Sequence, residues 1–102
     1  ITGDGTQTRD FTFVDDVVRA NLLAMDSQKV GAGEIINIGA GSNHTVNEVA
    51  KIIGGKTQNI PPRIEPHDTL ADNSLAEKLL GWVPQVGFDE GMKKTLEWFA
   101  KK

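Results

Sequence analysis

The sequence predicts an α/β fold: a small domain of about four helices with a few short strands. Two observations carry this. Runs with apolar residues at helical spacing alternate with short, β-branched or aromatic runs, and glycines punctuate the chain where one kind of run gives way to the other. No internal repeat, low-complexity tract or linker interrupts residues 1–102, which therefore read as one unit.

Gly3-Asp4-Gly5 marks a turn, and the Phe-, Thr- and Val-rich residues 9–14 after it predict a short strand. Asp15 and Asp16 put negative charge where a helix exposes its first N–H groups. The spacing of Val14, Val17, Val18, Leu22 and Met25 predicts a helix over 16–27 with those residues on its inner face, widened by Ala20 and Ala24. Gly31 and Gly33 end that run, and the β-branched residues 34–38 predict a buried strand, closed by Gly39-Ala40-Gly41.

Thr45-Val46-Asn47-Glu48 fits a capping box, in which the first hydroxyl and the later carboxylate satisfy each other's backbone N–H. Val46, Val49, Ala50 and Ile53 give the second helix its inner face, and Gly54-Gly55 stops it. Residues 56–60 suggest an edge strand before Pro61-Pro62. Asp72-Asn73-Ser74 offers caps for a third helix ending at Gly81. A last helix follows the Trp82-Val83-Pro84 connection, with Phe88, Met92, Thr95, Leu96 and Phe99 on one side.

Composition excludes several function classes. The 102 residues are 38% hydrophobic and 25% charged, as in a globular protein. No apolar run approaches the ~20 residues of a bilayer-crossing helix, so no membrane partner is expected. The net charge of −3, without interleaved basic and aromatic residues, argues against nucleic acid. Absence of cysteine rules out disulfides, thiolate metal sites and a cysteine nucleophile, and suits a reducing cytoplasm, the expected location. The chain opens at Ile1 on a turn signal without a methionine or a secretory leader, so it is expected to be an excised or processed piece.

Few residues carry candidate chemistry. Gly39-Ala40-Gly41-Ser42-Asn43-His44 follows a strand signal and precedes a helix, as a phosphate-cradling loop does, but His44 stands where a third glycine belongs. A simple strand-to-helix turn is the better reading. Asp4, Asp10, Asp15 and Asp16 straddle a strand and lack the spacing of a hard-cation loop, so no metal is expected. His44 and His67 read as surface loop residues, and no Ser/His/Asp spacing marks a hydrolase. Arg9, beside the glycine turn, and Arg63, held in an extended loop by two prolines, are the best anion-binding candidates.

Four segments in order resemble one family: Gly3-Asp4-Gly5-Thr6-Gln7-Thr8-Arg9-Asp10-Phe11-Thr12-Phe13-Val14-Asp15-Asp16; Ile36-Asn37-Ile38-Gly39-Ala40-Gly41 with Thr45-Val46-Asn47-Glu48; Pro61-Pro62-Arg63, Leu70-Ala71-Asp72 and Lys78-Leu79-Leu80-Gly81-Trp82-Val83-Pro84; and Asp89-Glu90-Gly91-Met92 running to Glu97-Trp98. Together they are similar to the C-terminal third of extended short-chain dehydrogenases/reductases, the NAD-dependent nucleotide-sugar epimerases and dehydratases of UDP-glucose 4-epimerase type. The resemblance implies that Arg9 and Arg63 bind the diphosphate of a UDP- or dTDP-sugar and that Thr45 lies near the nucleotide. The family's Gly-Asp after the second arginine is absent from Arg63-Ile64-Glu65-Pro66-His67-Asp68, so Asp68 or Glu65 takes the ribose-binding role. Gly87 stands where the family often has a serine cap.

The family's glycine-rich cofactor loop and Tyr-x-x-x-Lys pair would lie upstream, and this chain has no tyrosine. It is expected to contribute no catalytic residue and to bind no cofactor itself. NAD would belong to a missing N-terminal Rossmann half, and epimerisation is the preferred parent reaction. A non-catalytic module binding a nucleotide sugar or a protein is the alternative. The small-residue face of the first helix implies marginal stability alone, or a homo-oligomer.

Overall fold

The computed structural model describes residues 1–102. Its elements run β1 (Thr8–Arg9), α1 (Val14–Asp26), β2 (His44–Thr45), α2 (Val46–Ile53), α3 (Ser74–Leu80) and α4 (Phe88–Ala100). β1 and β2 pair antiparallel, with Thr8 opposite Thr45 and Arg9 opposite His44. Two parallel bridges, Thr2 to Ile60 and Thr8 to Asp68, lay later segments along the opening one.

The helices follow local signals. Thr45 caps α2 through a complete capping box, its hydroxyl accepting from the Glu48 N–H while Glu48 accepts from the Thr45 N–H. α3 stops at Gly81, left-handed at φ 62°, whose N–H reaches back to carbonyls of the last turn. Gly87 is the N-cap of α4, without a side-chain cap bond.

The strands differ from expectation. Residues 9–14 contribute only Arg9 to a strand, because α1 already begins at Val14. Residues 34–38 form no strand at all: Ile36 and Ile38 pack inward while Ile35 stays 87% exposed. Within 56–60 only Ile60 makes a bridge. A strand needs a hydrogen-bonding partner along its length; residues 34–38 have none, and residues 56–60 meet the opening residues only around Ile60.

Trp82, Ala76 and Ala20 form the core, with Leu23, Ile36, Ile38 and Leu80 against it. The side of α1 that faces inward carries Asp16 and Ala20, and it packs on α3. Ala20 is small enough to let the wholly buried indole of Trp82 lie close. The predicted inner face of α1 is therefore its outer one: Val18 is 50% exposed, Leu22 53% and Met25 74%. On α4, Trp98 and Phe99 are also exposed. The radius of gyration is 16.0 Å with extents of 49 × 35 × 19 Å, against about 13 Å expected for a compact chain of this length. The result is a thin slab with apolar faces of α1 and α4 uncovered.

Candidate functional site

The opening turn is held from three directions. The Asp4 carboxylate accepts from the Thr6 N–H (3.0 Å) and hydroxyl (2.7 Å), which holds its pKa below the usual carboxylate value. Gly5, at φ 78°, lies against Asn47 at the start of α2, and a Cβ there would fall 2.0 Å from the Asn47 amide oxygen. Asn47 donates to the Asp4 carbonyl (3.0 Å), and Gly3 and Ile60 are joined by a backbone bond of 2.9 Å.

Arg9 leaves β1 with its guanidinium already fixed. Nη1 donates to the Thr8 carbonyl (2.6 Å) and the His67 carbonyl (3.2 Å), while Nη2 lies 3.4 Å from Glu65. Its neighbour Asp10 ties three segments together, accepting from the N–H groups of Ala40 (2.7 Å), Gly41 (3.0 Å) and Ala71 (3.2 Å). Asn73 completes the joint, accepting from the Gly39 N–H (2.9 Å) and donating to its carbonyl (2.5 Å). Gly39 is required here, since a Cβ would stand 2.4 Å from the Ala71 Cβ and 2.6 Å from an Asp10 oxygen. The N–H groups of residues 39–41, which a phosphate-cradling loop would turn outward, are thus taken by Asp10 and Asn73.

The segment after the prolines closes against β1. Thr8 donates its N–H to the His67 carbonyl, and Thr69 donates to the Thr8 carbonyl. The Thr8 hydroxyl donates to Asp68 (2.7 Å) and accepts from Asn43 (3.0 Å). The Thr8 bond and the neighbouring His67 keep the Asp68 carboxyl below its usual range. His67 spans Thr6 Oγ1 at 3.1 Å and Asp68 at 3.0 Å, the connectivity of a nucleophile, base and carboxylate. The only hydroxyl proton of Thr6, however, is directed at Asp4, so the group is a structural relay and not an activated nucleophile.

Three of the four predicted site residues converge. Arg9, Thr45 and Asp68 surround β1: Thr8 faces Thr45 on one side and Asp68 on the other. Arg63 stands apart, lining an open groove of about 460 Å³ with Asp4, Gln7, Glu65 and His67. Arg9 lines a separate shallow depression with Asn37, Thr69 and Ala71. No group of three or more acidic or histidine side chains is placed to hold a metal. His44 departs from its surface reading, stacking on Phe88 with ring centroids 3.8 Å apart and planes at 7°.

Residues 1–39 match the model of the NAD dependent epimerase/dehydratase family. The UDP-glucuronate 4-epimerase of Thermodesulfobacterium geofontis is 40% identical over 96% of this chain and 32% of its own length. The UDP-glucose 4-epimerase of Mycolicibacterium smegmatis is 38% identical over 100% of the chain and 34% of its own. The chain belongs to the NAD-dependent epimerase/dehydratase family. A solved UDP-glucose 4-epimerase of Thermotoga maritima, with UDP-glucose, superimposes at a TM-score of 0.87 and 42% identity, over 99% of this chain and 34% of that one. An epimerase of Methanothermobacter thermautotrophicus superimposes at 0.92 with 38% identity, over 99% and 32%.

As a member of this family the chain spans about a third of the length of the relatives it matches, corresponding to their C-terminal part. Other family members at 36% identity are named for decarboxylation and 4,6-dehydration, so similarity alone does not choose among the reactions. Sequence reasoning missed Asp10, Asn73 and Asn47 as organisers of the site, and named Glu65 only as a ribose-binding alternative to Asp68, without its pairing with Arg9. A signal existed only for Asp10, as the middle residue of the Arg-Asp-Phe stretch.

Proposed function

We propose that this chain holds the nucleotide sugar for an NAD-dependent UDP-sugar 4-epimerase, while the rest of the parent protein carries out hydride transfer. The observation that carries the proposal is the fixed guanidinium of Arg9. Backbone carbonyls at 2.6 and 3.2 Å lock one side of the fork, and Nη2 on the other side meets only the Glu65 carboxylate, at 3.4 Å. A planar fork held in this way presents donors to a phosphate with little conformational entropy left to lose. Arg63 supplies a second cation from a separate groove that Glu65 and His67 also line, and Thr45 and Asp68 flank the strand that carries Arg9. Thr45 accepts a capping bond but keeps its own hydroxyl proton for a ligand. The mechanism is positional: binding the remote diphosphate orients the reacting sugar carbon.

NAD does not fit the residues present. The one glycine turn that resembles a dinucleotide loop has its N–H groups filled by Asp10 and Asn73, and the chain holds no tyrosine. Cofactor binding is therefore assigned to the parent's remaining part, in a cytoplasmic enzyme.

In the parent enzyme, Arg9→Ala and Arg63→Ala are each expected to raise the KM for the UDP-sugar. Charge-assisted bonds contribute roughly 1.5–3 kcal/mol, about 10- to 150-fold. Steady-state kinetics checks this, and unchanged affinity in both variants would refute the assignment.

The uncovered apolar faces of α1 and α4 support a further layer packed on them in the parent. The isolated chain is accordingly expected to self-associate through Val18, Leu22 and Met25, exposed by 50%, 53% and 74%. Light scattering over a concentration series should show mass rising with concentration. A strict monomer melting above ~65 °C would count against it.

A further inference from the structure

The position of Glu65 goes beyond substrate holding, while resting on the reading of Arg9 as a diphosphate ligand. Nη1 of Arg9 is committed to two carbonyls, so the edge bearing Nη2 is the one left for an incoming anion. The Glu65 carboxylate stands opposite that edge, with Oε2 3.4 Å from Nη2. That separation is longer than the ~2.7–2.9 Å of a charge-assisted hydrogen bond, so the pair is a loose one. Its side chain is 38% exposed and the pairing with Arg9 is its only polar contact. It sits between Ile64, wholly in solvent, and Pro66, on the arch that leaves Ile60 and returns to β1 at His67.

The chain elsewhere uses its carboxylates differently. Asp10 and Asp16 each accept from several backbone N–H groups and are fixed parts of the fold. Asp4 and Asp68 each accept a hydroxyl proton. Glu65 alone among the carboxylates bordering the two arginines is held by charge and nothing more. A phosphate and a carboxylate cannot share one guanidinium edge without like charges meeting at close range.

We propose that Glu65 is a displaceable internal anion that occupies the diphosphate-binding edge of Arg9 when no nucleotide is bound, and so lowers nucleotide affinity. Binding of a nucleoside diphosphate swings Glu65 away from Arg9 and towards the groove that Glu65 lines together with the second cation, Arg63. Removing the carboxylate's charge while keeping its size should therefore tighten binding.

The test is calorimetric titration of UDP into the full-length protein and its Glu65→Gln, Arg9→Ala and Arg9→Ala/Glu65→Gln variants. Glu65→Gln is expected to bind UDP about three- to tenfold more tightly, in keeping with a partly exposed pair. The gain should vanish in the double variant, because the competed group is then absent. Equal or weaker binding by Glu65→Gln, with Arg9→Ala still weakened, overturns the proposal and leaves Arg9 as a ligand. Equal affinity of Arg9→Ala and wild type, or no binding by any form, overturns the Arg9 reading and the proposal with it. Melting curves on each variant keep a folding defect from passing as a binding effect.

Discussion

Replacing Asp16 by alanine is expected to cost about 3–5 kcal/mol and to leave the isolated chain largely unfolded at 37 °C. The Asp16 residue is 2% exposed. Its carboxylate accepts from the N–H groups of Gln85 (3.1 Å) and Val86 (3.0 Å) and pairs with Arg19 at 3.1 Å. Alanine would leave the Gln85 and Val86 amides without their acceptor and the Arg19 guanidinium with the Val83 carbonyl alone. It would also free the Gln85–Val86 turn from α1, on which the approach of Trp82 depends. Urea unfolding of the two proteins measures the loss, and a midpoint shift below one-tenth of the wild-type value would contradict it.

The same group gives an acid limb of predictable sign. Burial disfavours ionisation of Asp16, but the Val86 and Gln85 amides and Arg19 outweigh it, so its pKa lies below the usual 3.8. The stabilisation is therefore complete above about pH 4 and is lost as pH falls through the depressed folded-state value. Unfolding followed at descending pH should show a steeper loss in wild type than in Asp16→Ala.

What was legible in the sequence was whatever neighbours in the chain decide. The Thr45/Glu48 box and the stop at Gly81 involve residues within one turn of each other. Periodicity also grouped Val14, Val17, Val18, Leu22 and Met25 on one face of α1 and took that face as the inner one, whereas all five are exposed. It could not say whether that face would be covered, because coverage depends on what lies opposite. The short strand expected over residues 34–38 failed for a related reason: a β-branched run specifies extended backbone but not a partner. Within the site, the sequence singled out Arg9 as an anion-binding candidate from its place beside a glycine turn. The roles of Asp10 and Glu65 were not legible, since they rest on contacts with Ala71 and Arg9, more than 50 positions away.

Trp82→Ala is expected to be as damaging as the loss of Asp16, and for a complementary reason. Trp82 is the one large side chain with no solvent exposure, enclosed by Ala20, Ala76 and Leu80 with the Arg19 guanidinium 5.6 Å from its ring centroid. Its indole N–H donates to the Asp16 carbonyl at 2.9 Å, which joins the core to α1. Truncation removes the packing and leaves a cavity, at a cost of about 3–5 kcal/mol. Small alanines cannot collapse into that space, and the core contains no second large buried residue to compensate. Phenylalanine separates the two contributions. It restores most of the volume but not the N–H bond, so Trp82→Phe should cost only about 1–2 kcal/mol. Urea titrations followed by circular dichroism should rank wild type above Trp82→Phe, and Trp82→Phe well above Trp82→Ala. If Trp82→Ala unfolded at the wild-type midpoint, the indole would not be the centre of the core, and the docking of the Gln85–Val86 turn on Asp16 would have to hold the domain without it.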